Sequence, residues 1–481
     1  MVFQYIESAS GSRTKREANA GFEGRNHRLR GRMRLFTYLR RREWTPVLGC
    51  GLFVGFMAAG YYYNVTFVQL GLLDLGTRLV GMTELQVSTW MAALALLTFF
   101  VAVASGVTMD RRGWSSELLV KFRLLFGVVA LQFLLTLVAP TIRTVPAFGA
   151  WILAASVALG VGIPASFSLA VDLVPVEDRG YVAAAITAVA YFAANVYPLD
   201  WRIEAFSAVM VAAMAPGAVA LGALASGRVG VANRLVARLA RQHEEFGVGR
   251  FCRTETGERT GEVRPVRTRS FAFWGPVVLM FGVFFVDSLG FLRIIETPSF
   301  VLGAWQSPDF SDHLALGVVH VVSALVAGVL YTNFDRNWLF LWVFGLFSLT
   351  HLFYTTDVRT AAWFPALAGG QVSPINSAVY AVAVSFYTTL NFALWPDLST
   401  PETVGTHTAV GVGLAGWLAT FLSTALALYF ETAEVTLLSH LNVVNALALL
   451  LFTGLVVAIY LRRLVAAARG DDVSSSPGVR R

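Results

Sequence analysis

The chain of 481 residues has few of the residues on which secreted proteins and soluble domains depend. It contains two cysteines, Cys50 and Cys252, which are too few for a disulfide framework. Lysine occurs only at Lys15 and Lys121, so nearly every positive charge is an arginine. Charged residues make up 14% of the chain, whereas an ordinary soluble domain has roughly 25%. This composition argues against a set of soluble domains.

The sequence also lacks the common motifs of catalysis and cofactor binding. Its seven histidines and two cysteines show no metal-ligand spacing, and no phosphate-binding loop occurs. The glycines of residues 411–416 fit a dinucleotide-binding pattern by letter, but they lie within an apolar run, where helix packing explains them better. His351 and Asp357 are one residue too far apart for an acyltransferase-like pair. We therefore expect no enzyme activity, no metal and no cofactor.

Apolar residues are abundant instead: they make up 56% of the chain, and the mean hydropathy is +0.62. A helix that crosses a bilayer needs about 20 mostly apolar residues, whereas the strands of a β-barrel are shorter and alternate in polarity. The apolar runs predict an all-α polytopic membrane protein with twelve transmembrane helices. The expected spans are 47–72, 87–108, 117–139, 147–172, 180–197, 205–225, 271–295, 313–334, 338–355, 374–396, 406–430 and 438–461.

The basic residues predict the orientation of these spans. If the N-terminus is cytoplasmic, 32 of the 37 basic residues fall on the cytoplasmic side. The five on the other side are Arg78, Arg143, Arg202, Arg293 and Arg359. Because short cytoplasmic loops carry an excess of Lys and Arg, we predict a multi-pass protein of the cytoplasmic membrane with both termini in the cytoplasm. The net charge of +7 then reflects topology, and we expect no nucleic-acid partner.

Polar and arginine-rich stretches divide the chain into five parts. One of them separates two sets of six spans, and the two ends of the chain have the composition of disordered tails. The predicted parts are a basic cytoplasmic tail (1–45), a first six-helix bundle (46–225), a cytoplasmic linker (226–270), a second six-helix bundle (271–462) and a cytoplasmic tail (463–481).

Two landmarks recur at the same offset in the two sets of spans. An Asp-Arg pair follows an apolar span at Asp110 and again at Asp335, 225 residues later. An Asp-Leu pair occurs at Asp172 and again at Asp397, also 225 residues later, and each is followed by a Pro, a Glu and a Gly. The agreement indicates duplicated units in the same orientation. Parallel repeats of this kind are one architecture of secondary transporters, with the substrate site between the halves.

Residues 106–113, GVTMDRRG, resemble the Gly-x3-Asp-Arg-x-Gly signature between the second and third helices of the major facilitator superfamily. The pattern of six helices, a basic linker and six helices resembles the same family over the whole chain. Trp114 and Ser115 stand where the signature ends in two basic residues, so the match is partial. Ser156 stands where proton-driven drug exporters of this superfamily usually carry an arginine, and no subgroup is assigned.

The resemblance implies that these Asp-Arg and Asp-Leu junctions act as a conformational latch between the halves. Physically, a carboxylate at a helix end can pair with a guanidinium and with the positive N-terminus of a neighbouring helix. The alternative is a solvated turn whose arginines only set the topology. The expected latch residues are Gly106, Asp110, Arg111, Gly113, Asp172, Arg179, Asp335, Arg336 and Asp397.

Asp287 is the acid that the sequence places well within a span. A charge at that depth costs at least about 2.5 kcal/mol on insertion scales, so a functional role is the default hypothesis. His320 is expected at similar depth on the next span, and a pair of these two residues could hold a proton or a cationic substrate. The alternatives are a structural hydrogen bond or a shorter span that leaves Asp287 near the headgroups.

Polar stripes on two spans complete the candidate substrate site. The resemblance implies that the first, fourth, seventh and tenth helices line the cavity. Polar side chains in lipid-embedded helices rarely face lipid, so the stripes either contact substrate or form hydrogen bonds between helices. The residues at helical spacing are Tyr62, Thr66 and Gln69 on the first span, and Asn376, Tyr380, Tyr387 and Asn391 on the tenth.

These observations predict a secondary active transporter that moves a small organic solute by alternating access, either ion-coupled or facilitative. The expected partners are a small-molecule substrate, with proton coupling as one possibility, and the lipid bilayer, and we expect a monomer. The alternative is a non-transporting membrane assembly or sensor protein with the same fold.

Overall fold

A computed structural model of the chain describes residues 33–197, 202–242, 246–252, 265–295, 309–334, 336–363 and 374–468. Within these ranges the chain forms helices and turns, without strands. The first part contains α1 (Arg34–Arg40), α2 (Trp44–Leu79), α3 (Glu84–Arg111), α4 (Leu118–Val138), α5 (Val145–Leu173), α6 (Arg179–Val196) and α7 (Ile203–Ser226). The second part contains α8 (Gly230–Ala240), α9 (Phe271–Ile295), α10 (Phe310–Asn333), α11 (Arg336–Trp363), α12 (Pro374–Asp397), α13 (Val404–Thr432) and α14 (Leu437–Ala468).

Eleven of the described helices are long and apolar enough to cross a membrane. The twelfth expected span is α6, which has 18 residues, begins at Arg179 and is not among the eleven. It packs against α2, α10 and α12, and most of its residues are buried. A helix enclosed by other helices needs less apolar surface than one that faces lipid. The expected all-α fold is confirmed, while the bounds of the five predicted parts remain predictions.

Local sequence signals set several helix ends. Thr83 caps the N-terminus of α3 and forms a reciprocal pair of hydrogen bonds with Gln86. After α3 ends, Gly113 has a φ of +71°, and Gly227 after α7 has a φ of +65°. Glycine adopts such angles without the steric penalty of a side chain. Gly113, the second glycine of the GVTMDRRG segment, therefore allows the tight connection to α4.

Two of the long helices change their helical repeat. In α2, residues Asn64–Gly71 and Leu75–Leu79 are π-helical, and in α13 residues Gly411–Leu418 are π-helical. A π-helix has more residues per turn than an α-helix, so it rotates the residues that follow to a different face. The face that a side chain occupies after Asn64 therefore does not follow α-helical spacing.

Glycine pairs bring the two sets of helices into close contact. A Cβ atom added to Gly106 of α3 would lie 2.4 Å from the carbonyl oxygen of Gly405 in α13. A Cβ atom added to Gly180 of α6 would lie 2.9 Å from the carbonyl oxygen of Gly328 in α10. Small residues at such crossings let helix backbones approach each other. We call the end of the bundle where α3 ends and α13 begins the latch end.

Candidate functional site

Asp110 joins the two halves at the latch end. Its carboxylate accepts hydrogen bonds from the backbone N–H groups of Gly405 (3.0 Å) and Thr406 (2.7 Å), in the first turn of α13. The hydroxyl of Ser115, from the connection after α3, donates to the same carboxylate. An acid at a helix N-terminus satisfies free N–H groups and interacts favourably with the helix dipole. Asp110 thus links α3 to α13 through the backbone, without a guanidinium partner.

Neither arginine of the GVTMDRRG segment forms an ion pair with the Asp110 carboxylate among the described residues. Arg111 is exposed, and in the described part of the chain it forms no ion pair. The guanidinium of Arg112 lies over the ring of Trp114, 4.9 Å from its centroid, which is within cation–π range. Trp114 therefore has a packing role at the position where the superfamily signature has a basic residue.

A second contact between the halves is the buried ion pair of Arg179 and Asp397. The Nη1 atom of Arg179 lies 2.9 Å from Oδ1 of Asp397 and also donates to the carbonyl oxygen of Pro396. The hydroxyl of Tyr331 in α10 donates to the other carboxylate oxygen at 2.8 Å. Both charged side chains are at most 2% exposed. Arg179 begins α6 and Asp397 ends α12, so the pair crosses between the halves.

Residues 246–252, between α8 and α9, pack onto this ion pair. The carbonyl oxygen of Phe246 accepts a hydrogen bond from Arg179, and Gly249 donates its N–H to the carbonyl oxygen of Ser399. Arg250 donates to the carbonyl oxygen of Tyr331. This segment of the predicted linker is therefore part of the closed latch end.

The ion pair that the structure describes for Asp172 lies within the first half, whereas the expected latch role called for a contact between the halves. Lys121 of α4 forms an ion pair with Asp172 at 2.6 Å and also donates to the carbonyl oxygen of Ser168. Both charged side chains are almost fully buried. The repeat relates Asp172 to Asp397 in sequence, but α4 supplies Lys121 to Asp172, whereas α6 supplies Arg179 to Asp397. Asp172 therefore braces the first half.

Asp178, just before α6, holds the N-terminal helix at the latch end. Its two carboxylate oxygens accept hydrogen bonds from the backbone N–H groups of Arg34 (2.9 Å) and Leu35 (2.8 Å). Arg34 also lies 3.7 Å from Glu177. Burial raises the pKa of Asp178 to about 6, and the hydrogen bonds oppose that rise only in part. The second Asp-Arg junction cannot be compared, since Asp335 and the side chain of Arg336 lie outside the described residues.

Asp287 lies in a buried cluster of tyrosines. Tyr380 and Tyr387 of α12 donate their hydroxyl hydrogens to its two carboxylate oxygens, the Tyr387 bond being 2.7 Å long. Asp287 is 7% exposed. No basic side chain pairs with it in the part of the chain that the structure describes. An acid that is held within a span by neutral donors alone is an unusual arrangement, since most buried charges are paired.

His320 does not pair with Asp287, contrary to the hypothesis from depth. Its Nδ1 atom lies 2.9 Å from the hydroxyl of Ser385, and its ring stacks on Tyr191 with a centroid distance of 4.6 Å. Both residues form hydrogen bonds with α12, but with different faces of that helix. One face supplies Tyr380 and Tyr387 to Asp287, and another supplies Ser385 to His320.

A hydroxyl network runs next to these residues and crosses between the halves. The hydroxyls of Tyr61 in α2 and Tyr191 in α6 are 2.8 Å apart. Both lie near the hydroxyl of Thr388 in α12, at 3.5 Å and 3.2 Å. Because Tyr191 also stacks on His320, the network connects four helices that come from both halves.

The polar stripe on α12 is buried as a whole. Asn376 hydrogen-bonds the carboxylate of Asp357, and Asn391 accepts a hydrogen bond from the indole N–H of Trp395. The stripe thus forms hydrogen bonds between helices at one end and lines a cavity at the other, where Asn391 lies. The same helix therefore carries hydrogen bonds to another helix and a cavity-lining amide, while contact of the stripe with substrate stays a prediction.

The stripe predicted on the first span does not form one face toward the cavity. Tyr62 donates to the carbonyl oxygen of Tyr197, and Thr66 donates to the carbonyl oxygen of Tyr62 in its own helix. The side chain of Gln69 lies outside the described residues. Tyr61 and Asn64 line the cavity instead. The π-helical segment that begins at Asn64 changes the angular spacing of the residues that follow, among them Thr66.

A cavity of about 210 Å³ lies between the halves. Helices α2, α4, α5 and α7 of the first half and α9, α12 and α13 of the second half form its walls. Tyr61 belongs to both the cavity wall and the hydroxyl network. Phe284, another wall residue, packs edge-to-face on Tyr387 with a centroid distance of 4.7 Å. The side chain of Phe284 therefore lies between the cavity and the Asp287 cluster.

Sequence reasoning missed several residues of this site. The charge count treated Lys121 as an ordinary cytoplasmic charge. Its identity could have marked it, because the chain uses arginine almost everywhere else and has only two lysines. Tyr191 and Thr388 belong to neither of the two polar stripes that the helical spacing predicts. Their importance depends on which helices lie side by side, and that information is not local.

Comparison with known proteins agrees with this fold. Residues 7–198 match the model of the Major Facilitator Superfamily, and no curated protein sequence matches the chain. The human organic anion transporter MFSD10 (TETRAN) has a similar structure, with a TM-score of 0.55 and 16% sequence identity, over 86% of this chain and 99% of that one. The proton:xylose symporter XylE bound to 6-bromo-6-deoxy-D-glucose has a TM-score of 0.54 and 13% identity, over 85% of this chain and 94% of that one. The resemblance inferred from the motifs is confirmed, and the subgroup stays unassigned.

Proposed function

We propose that this chain, which has the fold of Major Facilitator Superfamily transporters, is a secondary active transporter of a small organic solute in the cytoplasmic membrane. The observation that carries the proposal is the junction of the two halves. A cavity and a buried polar cluster lie between the halves, and the latch end is closed by contacts that cross between them. Binding in the cavity and opening of the latch would then be two stages of alternating access.

The contacts at the latch end are of a kind that can open and close. Asp110 and Arg179 form hydrogen bonds and an ion pair, which water can replace on each side once the helices separate. At the glycine crossings the backbones of the two halves pack directly against each other. In this proposal Asp110, Arg179 and Asp397 stabilise the state closed at the latch end, which the charge distribution places on the cytoplasmic side.

Asp287 is the proposed coupling residue. Its carboxyl group lies within a span, is buried, and is held by two tyrosine hydroxyls that can donate to it. A proton on Asp287 would remove the cost of a buried charge. Since Tyr387 packs on the cavity residue Phe284, a change in protonation can alter the cavity wall.

The test is transport into proteoliposomes with and without an imposed proton gradient, with a panel of small organic solutes. We expect gradient-dependent uptake by the wild-type protein and a loss of the gradient dependence in Asp287→Asn. Asp74→Asn is the matched control, because Asp74 pairs with Arg78 near the other end of the bundle and should retain the dependence.

Two results would contradict parts of the proposal. Transport by Asp287→Asn with the same pH dependence as the wild-type protein would exclude Asp287 as the coupling site. Absence of flux for every solute, together with a stable protein partner in pulldowns, would favour the non-transporting alternative.

A further inference from the structure

The cavity between the halves has walls without charge. Among the described residues that line it, none is Asp, Glu, Lys, Arg or His. Eight of the lining residues are aromatic, and they come from both halves, with Phe56 and Phe167 on one side and Phe392 and Trp417 on the other. Transfer of a charged ligand into such surroundings costs several kcal/mol unless a partner of opposite charge is present. The walls therefore favour a neutral molecule with an aromatic or aliphatic body.

Two amide side chains, Asn64 and Asn391, face the same cavity. The Oδ1 atom of Asn64 is buried and accepts no hydrogen bond from the described residues. Asn391 also lines the cavity, and its Oδ1 atom accepts a hydrogen bond from the indole N–H of Trp395, so its amide N–H groups are the donors that it can offer to a ligand. Buried polar atoms are almost always paired. An acceptor at Asn64 and a donor at Asn391 are thus available to a ligand or to water.

The cavity has room for a small ring system. The cavity measures about 210 Å³, and a dry apolar cavity of about 150 Å³ in another protein accommodates benzene. One or two rings fit this space. A sugar of similar size would place many of its hydroxyl groups against walls that are mostly apolar, which would leave those hydroxyls unpaired.

We infer that the cavity is a binding site for a neutral, largely aromatic small molecule of one or two rings, oriented by the Asn64 and Asn391 side-chain amides. This inference rests on the proposed function for the role of the site, and it adds the chemical class of the substrate. It concerns binding, so it can be tested without transport.

The experiment is a binding measurement on the purified full-length protein in nanodiscs, by ligand-induced thermal stabilisation and by tryptophan fluorescence. The neutral probes are indole and 2-naphthol. Indole-3-acetate and tryptamine carry an added negative or positive charge on the same ring system, and D-xylose is a neutral polyhydroxyl probe. We expect stabilisation by the neutral aromatic probes and apparent affinities at least about tenfold lower for the other three.

Glycine variants provide the structural control. A Cβ atom at Gly217, which lines the cavity, would meet no atom within 4 Å. Gly217→Leu should therefore fill the cavity without a clash in the backbone and lower indole affinity at least about tenfold. Gly127→Leu is the matched control: this glycine is also unobstructed in a membrane helix but does not line the cavity, so binding should persist. Asn64→Leu should lower the affinity for indole while leaving the protein folded.

The inference is overturned if neither neutral aromatic probe binds, if a charged analogue binds as tightly as indole, or if Gly217→Leu and Gly127→Leu behave alike. Transport of some other solute by a protein that fails this test would support the proposed function and contradict only the substrate class. Binding of indole that depends on Gly217, without flux of any solute, would support the site and contradict the transport role.

Discussion

Two contacts close the latch end, and they are built on opposite principles. At the crossing of α3 and α13, glycines allow two backbones to touch, and the carboxylate of Asp110 accepts from backbone N–H groups. At the junction of α6 and α12, two oppositely charged side chains, Arg179 and Asp397, meet in a fully buried position. The first contact depends on the small size of its glycines and on one carboxylate bound to backbone N–H groups, and the second depends on two opposite charges.

The difference decides how each contact responds to change. The glycine crossing has no spare volume, so any added atom pushes the halves apart. When the halves separate, both charges of the ion pair are hydrated, so separation costs little. Loss of one partner in the closed state is costly, because the other charge is then left buried. Damage to the first contact should open the latch, whereas damage to the second should destabilise the closed protein.

The largest effect is expected from breaking the ion pair. Asp397→Ala should reduce the stability of the protein by about 3–5 kcal/mol, because the Arg179 guanidinium would remain buried without its counter-ion. The measurement is thermal or denaturant-induced unfolding of the purified protein. The double variant with Arg179→Met and Asp397→Leu removes both charges and should be more stable than Asp397→Ala alone. Equal stability of the wild-type protein and Asp397→Ala would show that the pair does not matter energetically.

A smaller effect is expected at the glycine crossing. Gly106→Ala should disfavour the closed state by about 1–3 kcal/mol, since its Cβ atom would overlap the backbone of Gly405. The readout is maleimide labelling of a Ser115→Cys reporter, which is buried when the latch is closed. Labelling should become at least about fivefold faster.

Gly55→Ala is the control for this prediction, because an added Cβ atom at Gly55 meets open space. The protein without the reporter gives the background from Cys50 and Cys252, both of which are buried. Unchanged labelling of the Gly106→Ala variant would mean that the helices accommodate the methyl group without opening.

The smallest effect is expected at Asp178, which accepts two backbone N–H groups as Asp110 does, but from the N-terminal helix. Burial raises its pKa to about 6, so the folded protein binds a proton more tightly than the unfolded chain does. The contribution of Asp178 to the free energy of unfolding therefore increases as the pH falls from about 6 toward 4. It is lost as the pH rises through the same range. Between pH 7 and pH 5 the gain should be about 1 kcal/mol.

The check is the unfolding temperature at the two pH values. Asp178→Asn should lose the gain, while Glu177→Gln should keep most of it, because Glu177 acts on Asp178 only through its charge. The same pH response in the Asp178→Asn variant and the wild-type protein would assign the effect to other groups.

Sequence patterns predicted the helices well and the site in part. Twelve apolar runs have twelve counterparts in α2–α7 and α9–α14, because lipid solvation demands a long apolar segment that is visible locally. Asp110 and Asp397 were singled out by the internal repeat, and Tyr380 and Tyr387 by spacing on one helix. The partners of these residues were not predictable, because each partner comes from another helix.

Two particular failures show where local reasoning ends. The stripe of Tyr62, Thr66 and Gln69 assumed α-helical spacing, and the π-helical segment from Asn64 onward shifts that spacing. The pairing of Asp287 with His320 assumed that equal depth means contact, whereas α12 supplies separate hydrogen-bond partners to each.

The sequence by itself determined the number of spans and the duplicated Asp-Arg and Asp-Leu landmarks. Its arginines also predict the orientation of the spans. Length, hydropathy and charge are properties of single segments, so they need no knowledge of neighbours. Only the tertiary structure decided that Asp110 meets the first turn of α13, that Arg179 meets Asp397, and that an uncharged aromatic cavity lies beside Asp287. The physical reason is that hydrogen bonds and ion pairs act over a few ångströms, and the helices that come within that range are chosen by packing across the whole bundle.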